Sequence, residues 1–425
     1  MPFEIPTFIS MRIDRPVAVL GAGVSGEGAA ELVSRLGASA VLYDRDGTDF
    51  TPENARTHGL VVFSPGFHPG HPWLGIARDC GCMSIAELDF ASIFWRGRVV
   101  AVTGTNGKTT LTEFLAHALA GAGRRALATG NNGIPFSQVV ADEDGGALET
   151  TAVCEVSSFQ AEQLGHFYAD GLIWTNFAED HLERHPDMKA YFAAKWVMVI
   201  RTAPGRSFVG SSVEREGVRL GRPIPEGACV ASEGQPADRG LEGTAFARYP
   251  QRENFILAAA WWRSEGLDEA LLFEAARSFR VGRHRLARVA TVDGVGYWND
   301  SKATNFHAVE AALGGFEAPV ILIAGGRSKG GDLAGFVGRI APRVAHAVLV
   351  GETGTFLAAA FEARGVPHSE CASLDEAVRR AAGVAPAGGN VLLSPGFSSF
   401  DMFRSYEDRG DRFEQAVAEL RTARV

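Results

Sequence analysis

Nothing in this chain is long and apolar enough to cross a membrane. No apolar run approaches the roughly 18 residues that a membrane helix needs. Long basic runs are absent too and the net charge is −9, so nucleic acid is not an expected partner. Cysteine is scarce: Cys80, Cys82, Cys154, Cys229 and Cys371 make an odd set with no CxxC pair. That excludes a disulfide framework and a zinc ribbon and points to reduced thiols. The stretch from Met1 to Pro16 lacks a basic segment followed by an apolar one, so it does not read as a signal peptide, and the cytoplasm is the expected location. There is no internal repeat and no low-complexity tract. What remains is ordinary for a globular protein: 46% hydrophobic and 21% charged residues across 425 positions, enough for two or three domains with their own cores.

The most informative stretch runs from Val99 to Thr110. An apolar strand leads into Thr103-Gly104-Thr105-Asn106-Gly107-Lys108-Thr109-Thr110, and a helix is expected from Leu111 to Leu119. This is the layout of a phosphate-binding loop. Glycines let backbone N–H groups close around phosphate, Lys108 reaches the β/γ-phosphates, Thr109 can ligate Mg²⁺, and the helix N-terminus favours an anion. Val102 stands where the commoner spacing has its first Gly.

Short apolar strands alternate with helical stretches throughout, which predicts an α/β fold with mostly parallel sheets. Strand Val17 to Leu20, the turn Gly21-Ala22-Gly23-Val24-Ser25-Gly26, a helix from Glu27 to Leu36 and strand Ala40 to Tyr43 form a βαβ unit. Asp44 follows Gly26 by 18 positions, so a phosphate- or ribose-bearing ligand can sit on that turn. Strand Leu60 to Phe63 runs into Ser64-Pro65-Gly66, again at a strand's C-terminal end. Further strands are expected at Ala152 to Val156 and Gly171 to Thr175, and helices from Asn254 to Glu265 and Leu267 to Phe279. Residues 203–250 read as a β-hairpin-rich edge with loops. Gly282-Arg283-His284-Arg285 reads as a hinge into a last α/β domain, with strands at Val320 to Ile323, Ala347 to Val350 and Val391 to Leu393 and a helix from Leu374 to Ala382.

Several strand-end clusters carry chemistry. Glu155, in Glu155-Val156-Ser157-Ser158-Phe159-Gln160, is a carboxylate well placed for Mg²⁺ beside a phosphate loop. In Thr175-Asn176-Phe177-Ala178-Glu179-Asp180-His181, His181 is a candidate for metal or substrate. Lys195 sits among apolar neighbours on an expected helix, where a snorkelling lysine is the plain reading. Three loops after three strands form a ligand-facing rim: Asp300-Ser301-Lys302-Ala303-Thr304-Asn305, Gly325-Gly326-Arg327-Ser328-Lys329, and Ser394-Pro395-Gly396-Phe397-Ser398-Ser399.

In order along the chain, GTNGKTT, EVSSFQ, the N-x-x-E-D-H segment, the Ala194-Lys195 helix and Glu253-Asn254 to Ala260 resemble the shared pattern of the Mur ligases. Asp300 to Asn305 and the stretch Ser394 to Phe413 resemble the branch that adds D-glutamate. The resemblance implies three α/β domains: residues 1–94, Rossmann-like, for the UDP-sugar; 95–281, P-loop ATPase-like, for ATP; and 282–425, Rossmann-like, for glutamate and nucleotide. It implies a monomer acting on UDP-N-acetylmuramoyl-L-alanine and D-glutamate with ATP and Mg²⁺. Gly23, Val24, Ser25, Asp44, Arg45, Ser64, Pro65 and Gly66 would hold the uridine diphosphate end, and Asn131 the muramoyl part. Gly104 to Thr110, Asn254, Arg285 and Asp300 would hold ATP. Thr109, Glu155, His181 and Lys195 would serve the metal, Lys195 as a carbamate. Lys302, Thr304, Lys329, Ser399 and Tyr406 would receive the glutamate, with Lys108, Lys195, His181 and Lys302 catalytic. Tyr406 stands where the pattern has Phe, and Phe397 and Ser398 are also unusual. A Rossmann oxidoreductase accounts for Gly21 to Gly26 and leaves the phosphate loop unexplained. A P-loop switch leaves Asp300 to Asn305 unexplained. Among ligases, a folylpolyglutamate synthase-like enzyme is the alternative.

Overall fold

Short β-branched runs separated by helices build three sheets in the computed structural model, which describes residues 3–225, 227–231 and 239–422. The first sheet holds β1 (Val17–Leu20), β2 (Ala40–Tyr43), β3 (Leu60–Phe63) and β4 (Met83–Ala86) in the order β2-β1-β3-β4, all parallel. The second holds β5 (Arg98–Thr103), β6 (Ala126–Gly130), β7 (Thr151–Glu155), β8 (Gly171–Trp174), β9 (Ser207–Gly210) and β10 (Cys229–Ala231). Its order is β10-β9-β8-β5-β7-β6, again all parallel. The third holds β11 (Ala287–Val292), β12 (Val295–Asn299), β13 (Val320–Gly325), β14 (Val344–Val350), β15 (His368–Glu370) and β16 (Asn390–Leu393). Its order is β11-β12-β16-β13-β14-β15, parallel except for the antiparallel β11–β12 pair.

The inner strands β1, β3, β7, β8 and β13 are buried throughout, as parallel strands covered on both faces should be, and that is why they read as continuous apolar runs. β4, β6 and β15 were not expected, because each lies at a sheet edge and carries Ser, Thr, Gly or charge where an inner strand carries Val or Ile. The β11–β12 hairpin turns at Asp293 and Gly294, both left-handed (φ 50° and 77°). An Asp-Gly pair is a hairpin signal in its own right.

The expectation of a hairpin-rich edge over 203–250 is corrected. β9 and β10 pair in parallel and are joined by a helix at Ser211–Arg219. Parallel neighbours require such a crossover. The helix buries only Val213 and Gly217, so its apolar stripe is too thin to stand out amid charge. Residues 226 and 232–238, over which the same expectation runs, lie outside the described residues.

The chain gathers into two compact units. One contains residues 3–177, 189–231 and 253–279 and carries the first two sheets; the other contains 178–188, 239–252 and 280–422 and carries the third. Inside the first unit, buried carboxylates tie its two sheets together. Ser137 donates to Glu87 from its backbone N (2.8 Å) and its Oγ (2.5 Å). Burial pushes the Glu87 carboxyl up, and the Ser137 bonds oppose this. Asp89 accepts from the backbone N–H groups of Gly165 (3.0 Å), His166 (2.7 Å) and Phe167 (2.7 Å). Helix Val24–Arg35 lies close against helix Phe136–Asp142 because Gly28 has no side chain; a Cβ there would stand 2.9 Å from Ser137 Oγ. In the second unit the core under the strand-end loops centres on Phe306, stacked on Phe336 at 4.2 Å and edge-on to Phe397.

Candidate functional site

The phosphate loop forms as its sequence requires. β5 ends at Thr103, Gly104 and Gly107 take left-handed φ (145° and 85°), and the helix Lys108–Gly121 begins at once. A Cβ on Gly104 would collide with Thr175 Oγ1, and one on Gly107 would stand 2.7 Å from Asn254 Oδ1, so neither position admits a side chain. The loop is pinned from the end of β8. Asn106 N donates to Asn176 Oδ1 (2.9 Å), Asn176 Nδ2 donates to Asn106 O (3.1 Å), and Thr175 Oγ1 donates to Asn106 O (2.7 Å). Thr105 N donates to Asn176 O (3.0 Å). Lys108 Nζ folds over the loop, donating to Gly104 O (3.1 Å) and Thr105 O (2.9 Å). Thr109 and Thr110 are buried in the first helical turn.

Glu155 closes β7, the neighbour of β5, opposite Val102. Its Oε1 accepts from Asn131 Nδ2 (3.0 Å), while its Oε2 is buried without a hydrogen-bond partner. An orphaned buried carboxylate oxygen is costly unless a cation completes it. Lys195, on helix Met188–Ile200, is buried and also reaches the loop: its Nζ donates to Gly104 O (2.8 Å) and approaches Thr103 Oγ1 (3.4 Å). Among the described residues no group of three or more His, Cys, Asp or Glu is arranged as a metal cage.

The first sheet presents two loops. Gly23, Val24 and Ser25 open helix Val24–Arg35. Asp44 accepts from Ala22 N (2.7 Å), a bond that holds its carboxyl below the usual carboxylate range. Arg45 beside it is exposed. The loop Ser64-Pro65-Gly66 is closed by Phe67 N donating to Ser64 O (3.1 Å), and Ser64 Oγ is a buried hydroxyl without a hydrogen-bond partner.

In the second unit a small pocket is lined by Asp180, His181, Thr304, Asn305, Lys329 and Phe397, among others. Asp180 organises it. Its Oδ2 accepts from Asn305 Nδ2 (2.9 Å), its Oδ1 accepts from His181 N (2.9 Å), and Lys329 Nζ lies 3.6 Å away. Lys329 also reaches Thr304 Oγ1 (3.5 Å). His181 has left-handed φ (56°), with its ring between Asp180 (3.6 Å) and Glu183 (3.2 Å). Lys302 lies over the ring of Tyr406, 3.8 Å from its centroid. Ser399 is buried at the head of a turn, its carbonyl accepting from Met402 and Phe403, and is not part of the pocket lining.

Asp300 is buried. It accepts from Leu286 N (3.0 Å) and Ser394 Oγ (2.9 Å), and burial raises its carboxyl to about 7 against those two bonds and the positive charge of Arg285 and Arg409. Three residues that sequence reasoning gave no role prove organising: Asn176, Asp180 and Arg409. Arg409 donates to Ser301 Oγ (2.9 Å), Ser301 O (2.8 Å) and Phe397 O (3.2 Å), stapling two rim loops together. Burial pushes its guanidinium down to about 10, so it is still charged at neutral pH. All three sit in stretches already singled out; what was missing was the long-range partner.

Comparison with known proteins gives a consistent picture. The sequence model of the Mur ligase middle domain matches residues 102–211, and that of the Mur ligase glutamate ligase domain matches residues 284–397. The chain is 38% identical to a UDP-N-acetylmuramoylalanine–D-glutamate ligase from Frankia casuarinae, over 95% of this chain and 93% of that one. It is 33% identical to the enzyme of the same name from Pelotomaculum thermopropionicum, over 96% and 98%. Among solved structures it resembles the UDP-N-acetylmuramate–alanine ligase MurC of Thermotoga maritima (TM-score 0.60, 17% identity, 95% and 99% covered). It also resembles the MurF ligase of Thermotoga maritima, solved in complex with ADP (TM-score 0.60, 15% identity, 88% and 98% covered). At those identities the structural likeness speaks to the fold, which is the same mostly parallel α/β architecture.

Proposed function

The chain belongs to the Mur ligase family, and on that premise we propose that it joins D-glutamate to UDP-N-acetylmuramoyl-L-alanine with ATP, in the synthesis of peptidoglycan precursors. The observation that carries this reading is the 38% identity to a D-glutamate ligase along 95% of the chain. The folylpolyglutamate synthase-like alternative is not favoured, because relatives matched over 95–96% of the chain carry the D-glutamate ligase name. In this reading residues 1–94 take the UDP-sugar, 95–281 take ATP, and 282–425 take glutamate and nucleotide; the enzyme works in the cytoplasm as a monomer.

A carboxylate is a poor electrophile, so the substrate's terminal carboxylate must first receive the γ-phosphoryl group. The amine of glutamate then attacks the acyl phosphate, and the tetrahedral intermediate expels phosphate to leave the amide. Lys108, bonded to the carbonyls of Gly104 and Thr105, would turn to phosphate oxygens, with the N-terminus of helix Lys108–Gly121 behind it. Asn254 and Thr110 flank the same loop, and Arg285 and Asp300 would take the rest of the nucleotide. Thr109, Glu155 and His181 would hold Mg²⁺, with Lys195 as its carbamate. The orphaned Oε2 of Glu155 supports this assignment, since Mg²⁺ is commonly bound through one or two carboxylates and substrate phosphates. Bound there, Mg²⁺ would offset phosphate charge. Gly23, Val24, Ser25, Asp44, Arg45, Ser64, Pro65 and Gly66 would hold the uridine diphosphate and Asn131 the muramoyl group. Lys329 and Thr304, already adjacent, would receive one carboxylate of glutamate, and Ser399, Lys302 and Tyr406 would surround the remainder.

The test is ATP-dependent phosphate release with UDP-N-acetylmuramoyl-L-alanine and each of D-glutamate, L-glutamate, D-aspartate and L-alanine. Release with D-glutamate alone is expected. Equal release with L-alanine, or none without a folate, would overturn the reading.

A further inference from the structure

The loop assigned to the UDP end is bonded to the layer that carries Glu155 by the side chain of Gln163. β7 ends at Glu155, and Ser157 caps the short helix Ser158–Ala161 with a capping box: Gln160 N donates to Ser157 Oγ (3.2 Å) and Ser157 N donates to Gln160 Oε1 (3.0 Å). Gln163 follows, its N bonded to Gln160 O (3.1 Å). Its side-chain Nε2 is shared between Phe159 O (3.1 Å), in that helix, and Phe67 O (3.0 Å), in the loop after β3. Phe67 is the residue whose N–H closes the turn onto Ser64 O (3.1 Å), and Ser64 N is in turn bonded to Leu20 O at the end of β1 (3.0 Å). One amide group therefore links Ser64-Pro65-Gly66-Phe67 in the first sheet to the segment that begins at Glu155 in the second. Glu87 and Asp89 join the same two layers through bonds to Ser137 and to residues 165–167, not through either ligand loop.

We infer that Gln163 is a positioning residue: it holds the Ser64–Phe67 loop at a fixed distance from Glu155, so that a substrate gripped by that loop presents its reacting carboxylate at the phosphate site. The inference rests on the function proposed above. It assigns to the stretch after EVSSFQ a role that neither the phosphate loop nor the metal-site residues supply. A ligand gripped at one end and reacting at the other gains from a rigid mount, because misplacement at the remote end is carried to the reacting atoms.

Gln163 is partly exposed and makes neutral hydrogen bonds, so its replacement should leave the protein folded. Gln163→Met keeps the length and removes the donor; Gln163→Lys restores a donor. In the full-length enzyme, Gln163→Met is expected to raise the KM for UDP-N-acetylmuramoyl-L-alanine about two- to tenfold, the net worth of one such bond. The KM for ATP and for D-glutamate and the thermal midpoint should stay near wild type, and Gln163→Lys should recover most of the loss. A merely structural role would move the midpoint or all three KM values together, and that result overturns the inference. So does a folded Gln163→Met enzyme with an unchanged KM for the UDP-sugar. If the wild type itself neither binds nor consumes the UDP-sugar, the proposed function fails and the role of Gln163 falls with it.

Discussion

The phosphate loop of the first unit and the rim of the third sheet are both strand-end loops, yet they are built in opposite ways. The loop is one contiguous stretch, Thr103 to Thr110, whose glycines, cation and helix start lie next to one another in the chain. The rim pocket depends on partners far apart in sequence. Asp180 meets Asn305 across 125 residues, and Glu179 Oε1 accepts from Asp332 N across 153. Removal of one side chain should therefore be felt differently in the two places. In the loop the proposed phosphate cation is one side chain, Lys108, and its loss should be felt in chemistry. In the rim the work is shared by several groups, and loss of one should be felt in binding of one substrate.

The largest expected effect is at Lys108. Lys108→Ala should lower the rate of phosphate release by about a thousandfold or more, the scale for removing a group that stabilises developing charge, with an unchanged circular dichroism spectrum. A folded variant with near wild-type release would show that the loop serves something other than ATP. Next is Lys195. Lys195→Ala should lose at least about a hundredfold in rate and recover part of it with added short-chain carboxylic acids, and wild-type enzyme in ¹³C-bicarbonate should show a carbamate resonance. Full activity in rigorously CO₂-free buffer is the outcome that rules this out. The rim should behave differently. Lys329→Ala and Ser399→Ala are each expected to raise the KM for glutamate about tenfold to a hundredfold, the loss of one charge-assisted bond, with little change in the KM for ATP. If ATP affinity moves and glutamate affinity does not, the contrast between the two regions collapses.

The last test concerns stability, not rate: a pH dependence at Asp300. Burial raises its folded value to about 7 from an ordinary 3.8. Below pH 4 both folded and unfolded chains hold the proton and the contribution is complete. Between about 4 and 7 the unfolded chain releases it first, so stability falls as pH rises, by up to about 1.4 kcal/mol per pH unit. Asp300→Asn can still accept from Leu286 N and can donate its Nδ2 to Ser394 Oγ, and it should flatten that part of the curve. Denaturant midpoints of the two proteins across pH 4–8 measure the difference; parallel curves would mean that Asp300 ionises freely.

The same contrast explains what could be read from the sequence. β1, β2 and β3 stand where their apolar runs predicted, and the loop at Gly104 to Thr110 was legible because its chemistry is local. Helix Val24–Arg35 begins three residues earlier than expected, inside the glycine turn itself, because that turn is also the helix N-terminus. Lys302 and Lys329 stand in the sequence as two cations on loops of one rim. The fold sets Lys302 on Tyr406 and Lys329 beside Asp180, pairings no spacing rule contains. Asn176 was in view as part of a motif, but its role as a clamp on Asn106 depends on β8 lying next to β5.

One feature of the third sheet bears on how this protein behaves at high concentration. An open sheet ends in two rows of backbone groups that another chain could extend, and the usual defences are a short terminal strand or a bulged one. This sheet has one of each. β15 is only three residues, His368, Ser369 and Glu370, all polar. β11 carries an irregularity between Arg288 and Ala290 that sets two residues against one on its partner. Neither margin offers a long flat template, so self-association through strand addition is disfavoured at both ends of this sheet, and this route should not raise the weight-average mass measured by light scattering as the protein is concentrated.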